Sequence, residues 1–457
     1  MARKTDRIKE VKQVVNNISP SFCAAKWYNA TIWLSNGRTA SCHHPEAHYI
    51  PPREVFTNHK AIHNTCFKKE VRKQMLNGER PSECGYCWRV EDADPEADSD
   101  RQFKSAIYTD EEINAVKDLA PDADVNPKTL EISFDNLCNL SCTYCNPEFS
   151  STWANDIKTN GIFENLRSTG GGAYQNDGDH AYSFGLKGGE NLFTKAFFKW
   201  FDNGLKDDLQ ELRVTGGEPT RSPDFWKLID RCEGANFKFA VNSNLIMDDD
   251  RLNKLIDASK KFNEFDLYTS CETSGKHAEL IRHGFNYDLW KTNLKRFAKE
   301  GSYRHISIMM TISNLTLFSI TDFMDDMIDF KREFSNKTMF HMTLNILRFP
   351  SFQSVNLLPE NIKQERADHI ESWLEWNNGF LTTAEVSHIK RLVSYLRKVD
   401  VGYEDNDTKE DKQHDFVQFF KTYTSRRDLD IVKTIDNEMF TSWWEELNEN
   451  IKQTQIT

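Results

Sequence analysis

From about residue 128 the chain alternates short apolar runs with amphipathic stretches. LEISFD (130–135), ELRVTG (211–216), FKFAVNS (237–243), FDLYTS (265–270), ISIMMTIS (306–313) and MFHMTLNIL (339–347) each predict a strand. SPDFWKLIDRCEG, DDRLNKLIDASKKF and YDLWKTNLKRFAKEG, between them, carry helical spacing. This alternation predicts an α/β fold with a parallel sheet, and six units make a partial (β/α)6 barrel rather than a closed eight-stranded one. Upstream, ATIWLS and RTASC flank Asn36-Gly37, a two-residue hairpin signal. KEVRKQMLNGERP predicts a helix that ends at Gly78 and is stopped by Pro81. The acidic stretch VEDADPEADSDRQ reads as a surface connector. The Gly-rich insert 168–191 lacks the strand-before, helix-after context of a phosphate cradle and reads as a mobile surface loop. Beyond about 360 the pattern is helical. The expected organisation is an N-terminal segment 1–127, a barrel core 128–350 and a helical region 351–457, without internal repeats.

Charge narrows the partners. A net charge of −12 and a pI near 5.6 disfavour nucleic acid, whose binders present basic faces, but leave a small or peptidic substrate open. MARKTDRIKEVKQVV has no apolar signal core, and no run is long enough to span a bilayer, so a cytoplasmic protein without a membrane partner is expected. In a reducing compartment the 10 cysteines read as metal or redox ligands rather than disulfides. Their grouping agrees: five precede residue 90, three lie within eight positions, and only Cys232 and Cys271 stand apart.

CNLSCTYC sets Cys138, Cys142 and Cys145 in a C-x3-C-x2-C loop directly after a predicted strand. Such spacing lets one loop offer several thiolates to an iron–sulfur cluster. Three ligands on a four-iron cube leave one iron open, whereas structural zinc wants four ligands. A zinc knuckle borrowing a distant ligand is the competing reading of these cysteines alone. The next core strand, however, runs into Thr215-Gly216-Gly217-Glu218-Pro219. Glycines there allow close backbone approach to a ligand, and the strand ends are where α/β folds bind. The cysteine loop after the first core strand and GGEP after the second together resemble the radical S-adenosylmethionine (SAM) superfamily. That resemblance implies a [4Fe-4S] cluster on the three cysteines, with SAM chelated on the open iron. It also implies reductive C–S cleavage to a 5′-deoxyadenosyl radical, which abstracts a substrate hydrogen. Carried over by position, Tyr144 should lie near the adenine, and Gly216, Gly217 and Glu218 near the SAM amino group. Ser270 should reach the ribose or carboxylate, with Asn242 a further candidate, and Arg282 the carboxylate. A solvated helix charge is the plainer reading of Arg282.

A second set joins Cys23, Gly37 and Cys42 in a C-x13-G-x4-C pattern with the later pair Cys84 and Cys87. The hairpin brings Cys23 and Cys42 together, and from spacing alone a four-thiolate site suits zinc and [4Fe-4S] equally. The pattern is similar to the auxiliary-cluster half-motif of SPASM/twitch radical SAM proteins, here placed before the barrel. The likeness extends through VRKQMLNGERPSECGYCWRVED, the barrel and the C-terminal helices, and implies a second, auxiliary [4Fe-4S] cluster. Departures from that pattern are Lys26, His43, Asn244 and Cys271, none of which removes a cluster ligand.

Other residues attract attention with less reason. Cys66 competes poorly with four better-spaced cysteines. His43, His44 and His48 read as a polar loop, since no pair has helix-linked spacing. Cys271 would make a hydrogen-atom donor only if it faced the ligand, and strand parity with Ser270 points it away. Glu272 and Asp266 carry no special signal. The implied activity is radical modification of a peptide or protein side chain, with a flavodoxin- or ferredoxin-type donor. The alternatives are chemistry on a small metabolite, a SAM-cleaving activator of a partner protein, and a non-catalytic zinc-stabilised binding protein.

Overall fold

A computed structural model describes residues 2–94, 96–120, 122–176, 189–334, 339–398 and 405–456. Its strands, in chain order, are β1 (Asn29–Trp33), β2 (Arg38–Ala40), β3 (His48–Tyr49), β4 (Thr129–Ser133), β5 (Ser141–Cys142) and β6 (Glu211–Thr215). There follow β7 (Lys238–Ser243), β8 (Phe265–Ser270), β9 (Arg282–His283), β10 (His305–Ile312) and β11 (Phe340–Ile346). The main sheet has the order β11-β10-β8-β7-β6-β4-β1-β2-β3. The six strands expected from the apolar runs pair in parallel from β4 to β11, with intervening helices, as the partial barrel requires. β5 and β9 pair separately and antiparallel.

Alternation along the strands separates two faces. Leu130, Ile132, Leu212, Val214, Phe239, Val241 and Leu267 are buried in the main core. On the opposite face the paired register aligns Glu131 with Arg213 and brings Arg213 to within 4.1 Å of the Tyr268 ring. The inner face is therefore polar. The flanking helices are amphipathic in the matching sense. Pro223–Arg231 buries Phe225, Leu228 and Ile229, and its proline sits in the first turn, where a missing N–H costs nothing.

The N-terminal segment is continuous with the barrel sheet: β1 pairs in parallel with β4, from Asn29↔Thr129 to Trp33↔Ser133. β2 and β3 then extend the sheet antiparallel through the Asn36-Gly37 hairpin. A second apolar cluster of Val11, Val15, Phe22, Trp27, Met75, Trp88 and Tyr108 holds the first helix, Ala2–Ile18, against this end.

Two expectations are corrected. The acidic stretch is no plain connector. The helix Gly85–Ala93 runs into it, and Ser99 starts a second helix, Asp100–Ser105, through a capping box with Gln102. Arg101 is buried and pairs with Glu91, so charge in this stretch is partly internal. The Gly-rich insert is also packed where it is described. Thr169–Tyr174 forms a 3-10 turn with Gly170, Gly171 and Tyr174 buried, and Asp415 accepts from Arg167 N, Ser168 N and Ser168 Oγ. Residues 177–188 of that insert lie outside the described residues.

The C-terminal part is helical, as expected. Lys409–Ser425 buries Phe416, Phe419, Phe420 and Tyr423, and its aromatics stack with Trp153, Phe163, Tyr174 and Phe352 behind the cysteine loop. Among the described residues no helix is long and apolar enough to cross a membrane.

Candidate metal centres

The loop after β4 has little secondary structure of its own, so its carbonyls need partners from elsewhere. Tyr174 Oη donates to Thr143 O and Cys145 O at 3.1 and 2.6 Å, and Gln353 Nε2 reaches Thr143 O at 2.7 Å. Trp153 Nε1 donates to Cys142 O at 2.9 Å. Tyr423 Oη spans Ser141 O and Leu280 O at 3.2 and 3.0 Å. Side chains remote in sequence thus clamp the loop and turn Cys138, Cys142 and Cys145 toward one another. Burial, aided by the neighbouring sulfurs, raises the Cys138 thiol to about 12 and pushes Cys145 up as well. Cys142 is raised mainly by burial, with Arg282 opposing. Three thiols in one place, Cys142 buried and Cys138 and Cys145 half-buried, are unfavourable as free thiolates and suit a metal or cluster that would hold them deprotonated.

GGEP meets this loop directly. Gly216 has φ +125°, and a Cβ there would lie 2.6 Å from Ser133 Oγ. At Gly217 a Cβ would lie 2.4 Å from Leu137 O. Both glycines therefore let β6 end against the start of the cysteine loop, and Glu218 N donates to Leu137 O at 2.6 Å. The Glu218 carboxylate is buried. Oε1 accepts from Thr220 N, Thr220 Oγ1 and Ser243 Oγ, and Oε2 accepts from Asn244 N at 2.6 Å. Oε2, with one donor, has room for another.

Antiparallel pairing of β5 with β9 sets Cys142 opposite Arg282. Arg282 is buried. It grips Glu272 through two hydrogen bonds, 3.0 and 2.6 Å, and its Nη1 lies 3.7 Å from Cys142 Sγ. Tyr144 Oη donates to the same Glu272 at 3.0 Å. The solvated-charge reading of Arg282 is thereby excluded. Glu272, which carries no signal in the sequence, is the residue that joins Arg282 to Tyr144. Ser270 closes β8 on the inner face, in register with Met309. Asn242 faces inward too, opposite Tyr268, and its Oδ1 has no partner among the described residues. Cys271 is fully buried and donates to Thr273 O, in keeping with its parity. Asp266 pairs with Arg304 and Lys238 at the far end of β8.

Residues 132–327 match the radical SAM superfamily. These residues are a radical SAM domain. The chain is accordingly an enzyme, with a [4Fe-4S] cluster and SAM as the cofactors of that domain. The domain contains the cysteine loop, GGEP and the Glu272–Arg282 pair. No curated protein matches the chain by sequence. Among solved structures, Streptococcus suis SuiB bound to S-adenosylmethionine is similar at 15% identity, covering 76% of this chain and 68% of that one, with a TM-score of 0.35. Native anSMEcpe with bound AdoMet is similar at 15% identity, covering 54% of this chain and 60% of that one, with a TM-score of 0.32.

Outside the radical SAM domain, the structure brings Cys23, Cys42, Cys84 and Cys87 to the lining of one small pocket, walled by Met75, Tyr86 and Trp88. Burial is again the main cause of raised thiols, to about 12 at Cys23 and about 11 at Cys84. Lys26, Arg101 and Lys104 stand on the same lining as the sulfurs. Four converging thiols fit either a zinc ion or a cluster. Cys66 is exposed, with its N–H on Glu54, and does not line this pocket.

The histidine loop needs one amendment. His44 stacks on Tyr86 at 3.6 Å and meets Asp100 at 2.7 Å. Its ring nitrogen lies with Cys42 Sγ and an Asp100 oxygen inside a 4.8 Å group. Sequence spacing hid this, because Asp100 arrives from the helix that the acidic stretch forms. Asp100 and Lys104 also border a cavity of about 400 Å³ on the inner sheet face, lined by Thr31, Glu131 and Arg213 among others.

Proposed function

We propose that this radical SAM enzyme modifies a peptide or protein side chain and carries a second, auxiliary [4Fe-4S] cluster on Cys23, Cys42, Cys84 and Cys87. The observation that carries the catalytic part is the meeting of Cys138, Cys142 and Cys145 with the Tyr144–Glu272–Arg282 network at the ends of β4, β6 and β8. A cluster with SAM on its open iron supplies one-electron C–S cleavage and a 5′-deoxyadenosyl radical for hydrogen abstraction. The chain's own residues supply orientation. The Gly216-Gly217 backbone and Glu218 Oε2 would hold the amino group, and Arg282, held by Glu272 beside Cys142, would hold the carboxylate. Tyr144 offers a ring for the adenine, and Ser270 and Asn242 offer polar groups for the ribose.

Substrate size is the finer part of the reading. The inner-face cavity of about 400 Å³ is bordered by Phe103 and Ile107, which are 45% and 57% exposed, so it opens to solvent past apolar side chains. That supports entry of a side chain from a longer partner. The cavity shares Asp100 and Lys104 with the N-terminal cysteine pocket, which supports a position for the substrate beside that centre. The low-potential electron would come from a flavodoxin or ferredoxin.

Anaerobic reconstitution tests the reading. Iron and sulfide are counted, then dithionite and SAM are added and 5′-deoxyadenosine is measured. The expected result is about eight irons per chain and deoxyadenosine formation. Zinc in place of iron, or full iron loading without SAM cleavage, would sink it in favour of a zinc-stabilised binding protein.

A further inference from the structure

Lys26 is an unusual neighbour for a cluster of cysteines. Its residue is 4% exposed, and it lines the N-terminal pocket together with Cys23, Cys42, Cys84 and Cys87. The ammonium is held by Glu83, the residue just before Cys84. It lies on the same pocket wall as Cys84 and Cys23. The helix that carries it, Ala25–Tyr28, is fixed from behind, because Arg72 Nε donates to Lys26 O at 2.9 Å. Lys26 is thus a positive charge built into the wall of the site, not a surface charge folded over it. Arg101 and Lys104 add cations on the same lining, Asp100 on that lining opposes them, and Glu83 opposes Lys26 through their ion pair.

An iron–sulfur cluster gains one negative charge on reduction, and its potential follows net charge and hydrogen bonds to sulfur. A buried cation at one sulfur favours the reduced form. A carboxylate beside it does the opposite, and low local dielectric magnifies both.

We infer that Lys26 raises the reduction potential of the auxiliary cluster, and that Glu83 holds that rise in check. The inference rests on the proposed auxiliary cluster.

The test uses the full-length chain with Cys138, Cys142 and Cys145 changed to Ala, reconstituted so that only the N-terminal site can load. The midpoint potential is read by EPR-monitored redox titration. Lys26→Met should lower the reduced-to-oxidised ratio at a fixed potential at least tenfold, which is about 59 mV for one electron. Lys26→Arg should hold the parent value, and Glu83→Gln should move it the other way. Opposite shifts separate charge from loosened packing, which would move both variants alike. Iron loaded normally with midpoints unmoved by Lys26→Met overturns the inference and leaves the cluster reading intact. Failure of the parent to bind about four irons overturns both.

Discussion

The two cysteine sites sit at opposite ends of one design choice. The loop at Cys138, Cys142 and Cys145 is held from outside: Tyr174, Gln353, Trp153 and Tyr423 take its carbonyls, while its thiols face the barrel's ligand-binding end. The N-terminal site is held from within. Its four cysteines come from a loop, a hairpin end and one helix start, and Tyr86, Trp88 and Met75 wall it. One site has three thiols and a neighbouring arginine bound to a glutamate. The other has four thiols and a buried lysine. The difference is between a site that must admit a cofactor and one that can be filled by its own ligands.

The comparison is broken most forcefully by removing ligands. Cys142→Ala should abolish deoxyadenosine formation and leave the N-terminal site loaded with about four irons, read by iron analysis and product chromatography. Loss of iron from both sites would show that they are not independent.

Next in size is the buried pair. Glu272→Gln leaves Arg282 without its counter-charge and should cost about 3–5 kcal/mol in denaturant unfolding. Both side chains are almost fully buried, so solvent screening gives little relief. A double variant with Arg282→Met should recover part of that stability and none of the SAM cleavage. Recovery of activity in the double variant would remove the pair from SAM binding.

Tyr423→Phe should have a smaller, one-sided effect. It leaves Ser141 O and Leu280 O short of a donor, at a cost of about 1–3 kcal/mol. Iron should then leave the three-cysteine site faster under a chelator, with the N-terminal site unaffected. Equal acceleration at both sites would mean that the clamp is global. Smallest is Ser99→Ala, which removes, at about 1 kcal/mol, the cap of the helix that brings Asp100, Arg101 and Lys104 to the N-terminal pocket. It should shift only the N-terminal site's potential.

What could be read from the chain follows the range of each interaction. β4, β6, β7, β8, β10 and β11 fall on the predicted runs because a half-buried strand leaves its apolar residues in sequence. The cysteine loop and Gly216-Gly217 were legible for the same reason: spacing and glycine are local signals. Glu272 was not, since one carboxylate beyond a strand end has no pattern, and its meaning comes from Arg282 and Tyr144. Tyr423 lies 282 positions from Ser141, and no periodicity joins them. The parallel pairing of β1 with β4 was missed because Asn36-Gly37 announces a hairpin and says nothing of what the hairpin docks on. The acidic stretch misled through its charge: Arg101 and Ser99 are buried by partners, Glu91 and Gln102, that composition alone does not pair.

The central claim is that SAM belongs to one site and not the other. The direct measurement is EPR of the reduced full-length protein with and without SAM, on the Cys138/Cys142/Cys145→Ala variant and on a Cys23/Cys42/Cys84/Cys87→Ala variant. SAM is expected to change the cluster signal only where Cys138, Cys142 and Cys145 remain. A signal from the N-terminal site that responds to SAM, or a three-cysteine site that does not, would contradict it.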